Sequence, residues 1–345
     1  MVIVDSEKLK KLKALAEKID FNDERVNKYY QSLGDGPSDI SDKPYSGDIT
    51  LLDAPRDRDL SKLDIALMGV PFDLGVTNRP GARFGPRQIR EMSSMCNGPM
   101  HHESRIIPSQ LCRYADFGDV NFASVYSLDK GIEEIEAYYH KIVDAGVIPI
   151  SAGGDHSITY PILKAIGREQ PVGLVHIDAH CDTGGQINGS KFHHGGPFRN
   201  AVLAGVLDPE RTVQIGIRGR AEPHWDFSLD SGMRVIHIEE FYEMGIKNVV
   251  EEARNIVGDG PTYLSFDVDG VDPAFTPGTG TPEIGGLTPR EAQQIVRGMR
   301  GINLVGGDVV EVSPPFDLSG NTALVAATMM WEILCVTAES FANRK

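Results

Sequence analysis

A chain of 345 residues with a net charge of −15, from 34 Lys+Arg against 49 Asp+Glu, exceeds a small module and fits a single large α/β domain. Its 41% hydrophobic content is enough for a sizeable core. The acidic balance, with no compensating basic stripe, excludes nucleic acid and anionic membranes as expected partners and suits a soluble enzyme for a cationic or small neutral substrate.

The first residues, MVIVDSEKLKKLKALAEKI, lack a continuous apolar core and a cleavage site, so they do not read as a signal peptide. Residues 5–19 predict a charged amphipathic helix, with Leu9, Leu12, Leu15 and Ile19 at helical spacing. Ser32 to Asp48, rich in Gly, Pro, Ser and Asp, predicts a linker. The expected organisation is a helical arm and linker over 1–46, packed on the body or on a neighbouring subunit, and a globular body over 47–345. Within the body, short apolar runs predict buried strands at Ile65–Val70, Val147–Ser151, Val172–Ile177, Val213–Ile217, Val235–Ile238, Tyr263–Phe266 and Leu304–Val312. Helical segments are expected at 130–144, 157–168, 246–257, 288–299 and 319–341. The most apolar late stretch, Thr322–Val336, contains Glu332 and reads as too short to span a bilayer. Continuous apolar strands interleaved with helices predict a mostly parallel sheet covered on both faces. Four scattered cysteines, Cys96, Cys112, Cys181 and Cys335, form no CxxC pair and are expected as free buried thiols in a reducing cytoplasm.

Three clusters follow predicted strands: Gly153-Gly154-Asp155-His156-Ser157, Asp178-Ala179-His180-Cys181-Asp182 and Asp267-Val268-Asp269. Ligands of open α/β sheets gather beyond the carboxyl ends of the strands. In extended chain, residues two apart face the same side, which groups Asp178, His180 and Asp182, groups Asp267 with Asp269, and turns Cys181 away. Taken singly, a DxD is an ordinary turn and Asp155 an ordinary helix cap. Taken together, His156, Asp178, His180, Asp182, Asp267 and Asp269 offer two imidazoles and four carboxylates. Four such carboxylates repel unless cations neutralise them, and two divalent ions do so around one activated water, which points to a hydrolase. Oxygen and nitrogen donors without thiolate favour Mn²⁺, with Co²⁺, Ni²⁺ or Zn²⁺ open on affinity.

The GGDHS and DAHCD runs and SFDVDGVDPAFTPGTGTPEIGG closely resemble the signatures of the ureohydrolases, the family of arginase and agmatinase. GVPFDLGVTNRPGARFGP at 69–86 and EVSPPFD at 311–317 extend the resemblance over roughly 60–340, on the agmatinase-like branch near guanidinobutyrase and guanidinopropionase. The resemblance implies a three-layer αβα sandwich as the catalytic domain, with a binuclear, usually manganese, centre, Ni²⁺ being the alternative. One metal would be held by His156, Asp178, Asp182 and Asp267, the other by His180, Asp178, Asp267 and Asp269. A bridging water that loses a proton would attack the guanidinium carbon, and Asp182 would pass a proton to the departing amine. Glu311 would pair with the substrate guanidinium. His194 matches a histidine that shuttles protons or contacts substrate, with His193 as its alternative. Asp155 either orients His180 or His156 or only caps a helix, and His176 is either a support of Asp178 or, preferably, a packed core histidine. The loop Asn78–Arg83 lines the pocket mouth or is a rigid turn bearing surface arginines.

The loop Thr183–Phe192 departs from the arginase pattern, so a guanidine other than arginine is expected: a guanidino acid such as guanidinobutanoate or guanidinopropanoate, or agmatine. Lys191 either receives a substrate carboxylate or is solvated. Free guanidine or an alkylated guanidine or biguanide, with nickel, is the alternative substrate class. The resemblance further implies a homo-oligomer, trimer or hexamer. Two readings from other classes are a single-zinc deacetylase on the same fold, against which His156, Asp182 and Asp269 argue, and a subunit of a hetero-oligomer that needs a partner.

Overall fold

The seven predicted apolar runs all become strands, and an eighth joins them. The computed structural model describes residues 5–17, 47–95, 100–220 and 223–344. The strands are β1 Ile65–Val70, β2 Tyr114–Asp119, β3 Ile148–Gly153, β4 Val172–Ile177, β5 Leu207–Ile217, β6 Arg234–His237, β7 Thr262–Asp267 and β8 Leu304–Val310. They form one sheet in the order β2-β1-β3-β8-β7-β4-β5-β6, with every pairing parallel. Alternate side chains leave the sheet on opposite faces. Ile65, Leu67, Ile150, Val175 and Phe266 pack on one side with Ile295 and Met329 from helices Pro289–Gly298 and Asn321–Asn343. Ala66, Met68, Val70, Leu174 and Tyr263 pack on the other with Ile135, Tyr139 and Ile162 from helices Leu128–Asp144 and Thr159–Ile166. Two apolar layers with the sheet between them make the expected three-layer αβα sandwich.

The strand that sequence patterning misses, β2, reads Tyr-Ala-Asp-Phe-Gly-Asp and lies at the sheet edge. Its buried Asp116 is tolerated because Arg90 donates to both carboxylate oxygens, at 2.8 and 3.0 Å, and the backbone N–H groups of Leu51 and Gly118 add two more bonds. β8 stops at Val310, two residues before the predicted end, because Glu311 adopts a left-handed φ of 66° that no strand continues through.

The chain divides into two units, Met1–Gly47 and Asp48–Lys345. In the first, Ser6–Glu17 is a helix with every residue exposed, Leu9, Leu12 and Leu15 included. Ile19 and most of the expected linker lie outside the described residues, as does Cys96. Cys112, Cys181 and Cys335 are buried.

The last helix corrects an expectation. Asn321–Asn343 runs for 23 residues and is long and apolar enough to cross a bilayer by length and composition, but 78% of its most apolar window is buried inside the protein. Glu332, on that helix, is buried and meets His101 Nε2 at 2.7 Å and Arg297 at 2.6 and 2.9 Å. Burial pushes its pKa up, but the hydrogen bonds from His101 and Arg297 outweigh burial and hold it below the usual glutamate range. A depressed folded pKa contributes stability that is present above the unfolded value of about 4.3 and is lost as pH falls through the lower folded value. Glu332→Gln is therefore expected to lower the melting temperature at pH 7, by the equivalent of about 3 kcal/mol, and by progressively less below about pH 4. Thermal melts of both proteins from pH 3 to 8 check this; a gap that is constant across that range overturns it.

The site-bearing strands lie together in the middle of the sheet: β3, β8, β7 and β4 are consecutive neighbours. Register aligns their ends. Ile177 of β4 pairs with Phe266 of β7, so Asp178 follows beside Asp267, and Asp267 pairs with Val310, which precedes Glu311. Gly154 leaves β3 at the same level, its carbonyl accepting from the Glu311 N–H at 2.9 Å.

Candidate metal centre

Each cluster is delivered by its strand end and then fixed by local hydrogen bonds. After β3, Asp155 accepts from the Ser157 N–H at 2.9 Å and starts the 3₁₀ turn His156–Ile158. After β4, the N–H of His180 donates to Asp178 at 2.6 Å. After β7, the N–H of Asp269 donates to Asp267 at 2.8 Å. Gly270 lets the β7 turn close against β4: a Cβ there would lie 2.9 Å from the Asp178 nitrogen, which no real side chain tolerates. Arg218 secures the same turn from below. Its buried guanidinium donates to the carbonyls of Asp269, Gly270 and Glu283 at 2.6, 3.1 and 2.8 Å.

Beside the buried trio His156, His176 and Asp178, two donor groups result. His156, Asp178, Asp182 and Asp267 form one, and Asp178, His180 and Asp269 form another, each with ligand atoms within 4.8 Å of one another. His156 Nδ1 faces Asp178, Asp182 and Asp267 oxygens at 3.2, 2.9 and 3.2 Å. His180 Nδ1 faces Asp269 at 3.2 Å and Asp178 at 3.5 Å. Asp178 thus stands between the groups.

The tautomer of His156 tests whether a metal fits. Its Nε2 lies 2.8 Å from the Ser265 hydroxyl, which itself donates to buried Asp308 at 2.6 Å. Ser265 therefore accepts, His156 carries its proton on Nε2, and Nδ1 presents a lone pair to three carboxylates. That Nδ1 is buried with no hydrogen-bond partner. A lone pair and three anionic oxygens converging on one point fit a cation. Left to protons alone, the cluster is strained in opposite senses. Burial disfavours the charge on His156, yet Asp178, Asp182 and Asp267 hold its pKa well above the usual histidine value. Burial and the neighbouring Asp269 and Asp178 push Asp267 well above the carboxylate range, and burial with Asp178 raises Asp269 to about 6. The residues fit a pair of divalent ions, whose charge relieves both.

Above the cluster lies a cavity of about 240 Å³, below the range for drug-sized ligands and suited to a small molecule. His194 and Glu311 meet beside it: His194 Nδ1 lies 2.9 Å from Glu311 Oε1, which also accepts from the His156 N–H at 2.9 Å. Burial lowers the His194 pKa, but Glu311 outweighs it and raises it to about 9. Burial raises the Glu311 pKa and His194 more than offsets this, so the carboxylate stays anionic. Its other oxygen, Oε2, is buried with no partner. Gly280 faces that oxygen, and a Cβ there would intrude to 3.2 Å.

Other expected residues sit elsewhere. Asp155 orients neither imidazole: its oxygens take the Gly75 and Ser157 N–H groups at 2.8 and 2.9 Å, so it is the cap and tie of its turn. His193 fastens the Thr183–Ile187 wall through Gly185 O at 2.7 Å. His176, expected as a packed core residue, packs on Phe198 and also reaches Asp178 at 2.7 Å, with Gln214 donating to its other nitrogen. Lys191 is exposed, stacks over Phe192 and lies outside the cavity wall. The Asn78–Arg83 loop is a braced turn: Asp73 accepts from Gly81 and Arg83, and Arg79 lies over Phe316. Thr77, just before it, does line the cavity. Cys181 packs in an apolar group with Ile217, Val235 and Trp225, and burial pushes its thiol up to about 12. Ser265 and Asp308 were missed. Ser265 lies two residues before Asp267 on one strand, a period-two signal; Asp308 belongs to the adjacent strand and carries no such signal.

Comparison with known proteins identifies the family and the fold. A sequence profile of the arginase family matches residues 63–336. The guanidinopropionase of Pseudomonas aeruginosa is 53% identical over 311 residues, covering 89% of this chain and 97% of that protein. The human mitochondrial guanidino acid hydrolase is 50% identical, covering 79% and 78%. Among solved structures, the proclavaminate amidino hydrolase of Streptomyces clavuligerus superposes with a TM-score of 0.83 at 36% identity, covering 87% of this chain and all of that one. The arginase of Bacillus caldovelox superposes at 0.68 with 28% identity, over 79% and 98%.

Proposed function

The chain belongs to the arginase family, and on that premise we propose that it is a metal-dependent amidinohydrolase that cleaves a C–N bond of a small guanidine compound, a guanidino acid or agmatine, releasing urea and an amine. The observation that carries this is the pairing of the two donor groups around Asp178 with an anionic, buried Glu311 whose Oε2 is unpartnered and whose other oxygen meets the cavity-lining His194. His156, Asp178, Asp182 and Asp267 would hold one ion and His180, Asp178 and Asp269 the other. When bound, such a pair supplies the charge that acidifies water and balances the carboxylates.

The chain's own residues do the rest. Glu311 Oε2 accepts an N–H of the guanidinium and fixes the planar carbon over the cluster. His194 holds the other Glu311 oxygen and keeps the carboxylate charged. Asp182, held in a left-handed conformation at φ 52°, has its carboxylate 2.9 Å from His156 Nδ1 on the cavity wall. From there it carries a proton to the departing amine as the C–N bond breaks. Two such strained residues, Asp182 and Glu311, at one site are a common mark of function. Mn²⁺ suits the oxygen-rich donor set, with Ni²⁺ as its competitor on affinity, and the working assembly is a homo-oligomer, trimer or hexamer.

Purified chain loaded with Mn²⁺ or Ni²⁺ is assayed for urea from guanidinopropanoate, guanidinobutanoate, agmatine, arginine and guanidine. Urea is expected from the guanidino acids or agmatine well above arginine. No urea from any guanidine, with about two metals bound per chain, overturns the reading.

A further inference from the structure

The cavity must receive both ends of its substrate, and Glu311 accounts for only one. The carboxylates on the wall, Asp182, Asp267 and Asp269, all belong to the donor cluster. The remaining wall includes two arginines, Arg218 and Arg220. Arg218 is consumed: its guanidinium is buried and bound to the carbonyls of Gly216, Asp269, Gly270 and Glu283. Arg220 is exposed, and among the described residues its side chain has no hydrogen bond, ion pair or ring contact. Its backbone is held in place, since its N–H donates to Arg218 O at 2.9 Å directly after β5. Glu283 approaches His180 at 3.7 Å and does not line the cavity. Trp225, half-buried on Cys181, Ile217 and Val235, also lines the cavity and gives it an apolar surface for methylene groups.

We infer that Arg220 is the residue that reads the far end of the substrate, pairing with a carboxylate and selecting ω-guanidino acids over agmatine; this rests on the amidinohydrolase reading above. A guanidino acid carries a cation at one end and an anion at the other. The site offers the matching pair, an anionic Glu311 held by the cavity-lining His194 and a free guanidinium on the wall at Arg220, with Trp225 as an apolar lining residue. Arginine pairs with a carboxylate through two parallel N–H bonds, which fixes orientation as well as affinity. The terminal amine of agmatine would meet like charge at the same place.

The test uses the full-length, Mn²⁺-loaded protein and three substrates: 3-guanidinopropanoate, 4-guanidinobutanoate and agmatine. Arg220→Met is expected to raise KM for both acids about 10- to 100-fold with kcat changed far less, so that the acid-to-agmatine ratio of kcat/KM falls by a similar factor. Arg220→Lys recovers part of the loss, and Arg220→Glu drives the ratio further towards agmatine. A ratio unchanged in Arg220→Met overturns the inference. A wild-type chain that releases urea from agmatine but from neither acid also overturns it while leaving the amidinohydrolase reading in place; urea from none of the three overturns that reading itself.

Discussion

Replacing Asp178 with alanine is expected to lower urea release by roughly 10³-fold or more, equivalent to about 4 kcal/mol in transition-state stabilisation, and to leave the chain with less than its full metal complement. Asp178 is the one side chain common to both donor groups, and its two oxygens serve different imidazoles: Oδ2 faces His156 and Oδ1 faces His180. Burial would raise its pKa, but His176 and the other imidazoles hold it well below the usual range, so it is a carboxylate before any cation arrives. Alanine removes that anion and also orphans the proton that His176 shares with it at 2.7 Å. Metal analysis of the purified variant alongside the urea assay checks this. A variant with two metals per chain and unimpaired turnover is the result that would discard the assigned cluster.

Replacing Glu311 with glutamine separates substrate pairing from metal binding. The glutamine keeps the shape and the tie to the His156 N–H, and Glu311 is in neither donor group, so metal content stays at the wild-type level. On the proposed role of Glu311, what is lost is the buried charge that would face the guanidinium, and kcat/KM is expected to fall about 10²- to 10³-fold, or about 3–4 kcal/mol. His194 changes with it. Its pKa of about 9 is raised chiefly by Glu311, so in the variant the imidazole protonates at lower pH. Titration of that histidine by NMR is a second readout, and an unmoved His194 together with full activity would show that Glu311 plays neither part.

How far these residues could be read in advance depends on the distance over which each is fixed. Asp178, His180 and Asp182 lie on one segment, as do Asp267 and Asp269, and spacing by two is a local property of extended chain. Their placement after apolar runs already set them at one edge of a sheet. β2 escaped notice because its acids are offset by Arg90, which comes from the helix Gly85–Ser93 and lies outside any window around the strand. Lys191 was a fair candidate for the substrate's tail by proximity in sequence, yet its chain direction points it over Phe192 and away from the cavity. Arg220 had no such proximity and arrives only through the pairing of β5 with β4.

The sequence by itself determined the layered α/β fold and pointed to the six candidate donors, because apolar periodicity, strand ends and spacing by two are encoded locally, while its motifs carried the resemblance to the family. Tertiary structure alone decided the protonation of His156, which depends on Ser265 of β7 and Asp308 of β8 lying side by side. It decided the left-handed backbones of Asp182 and Glu311, which no residue preference announces. It also decided the state of two arginines on one wall: Arg218 is spent on the carbonyls of Asp269 and Glu283, and Arg220, two residues later, lines the cavity.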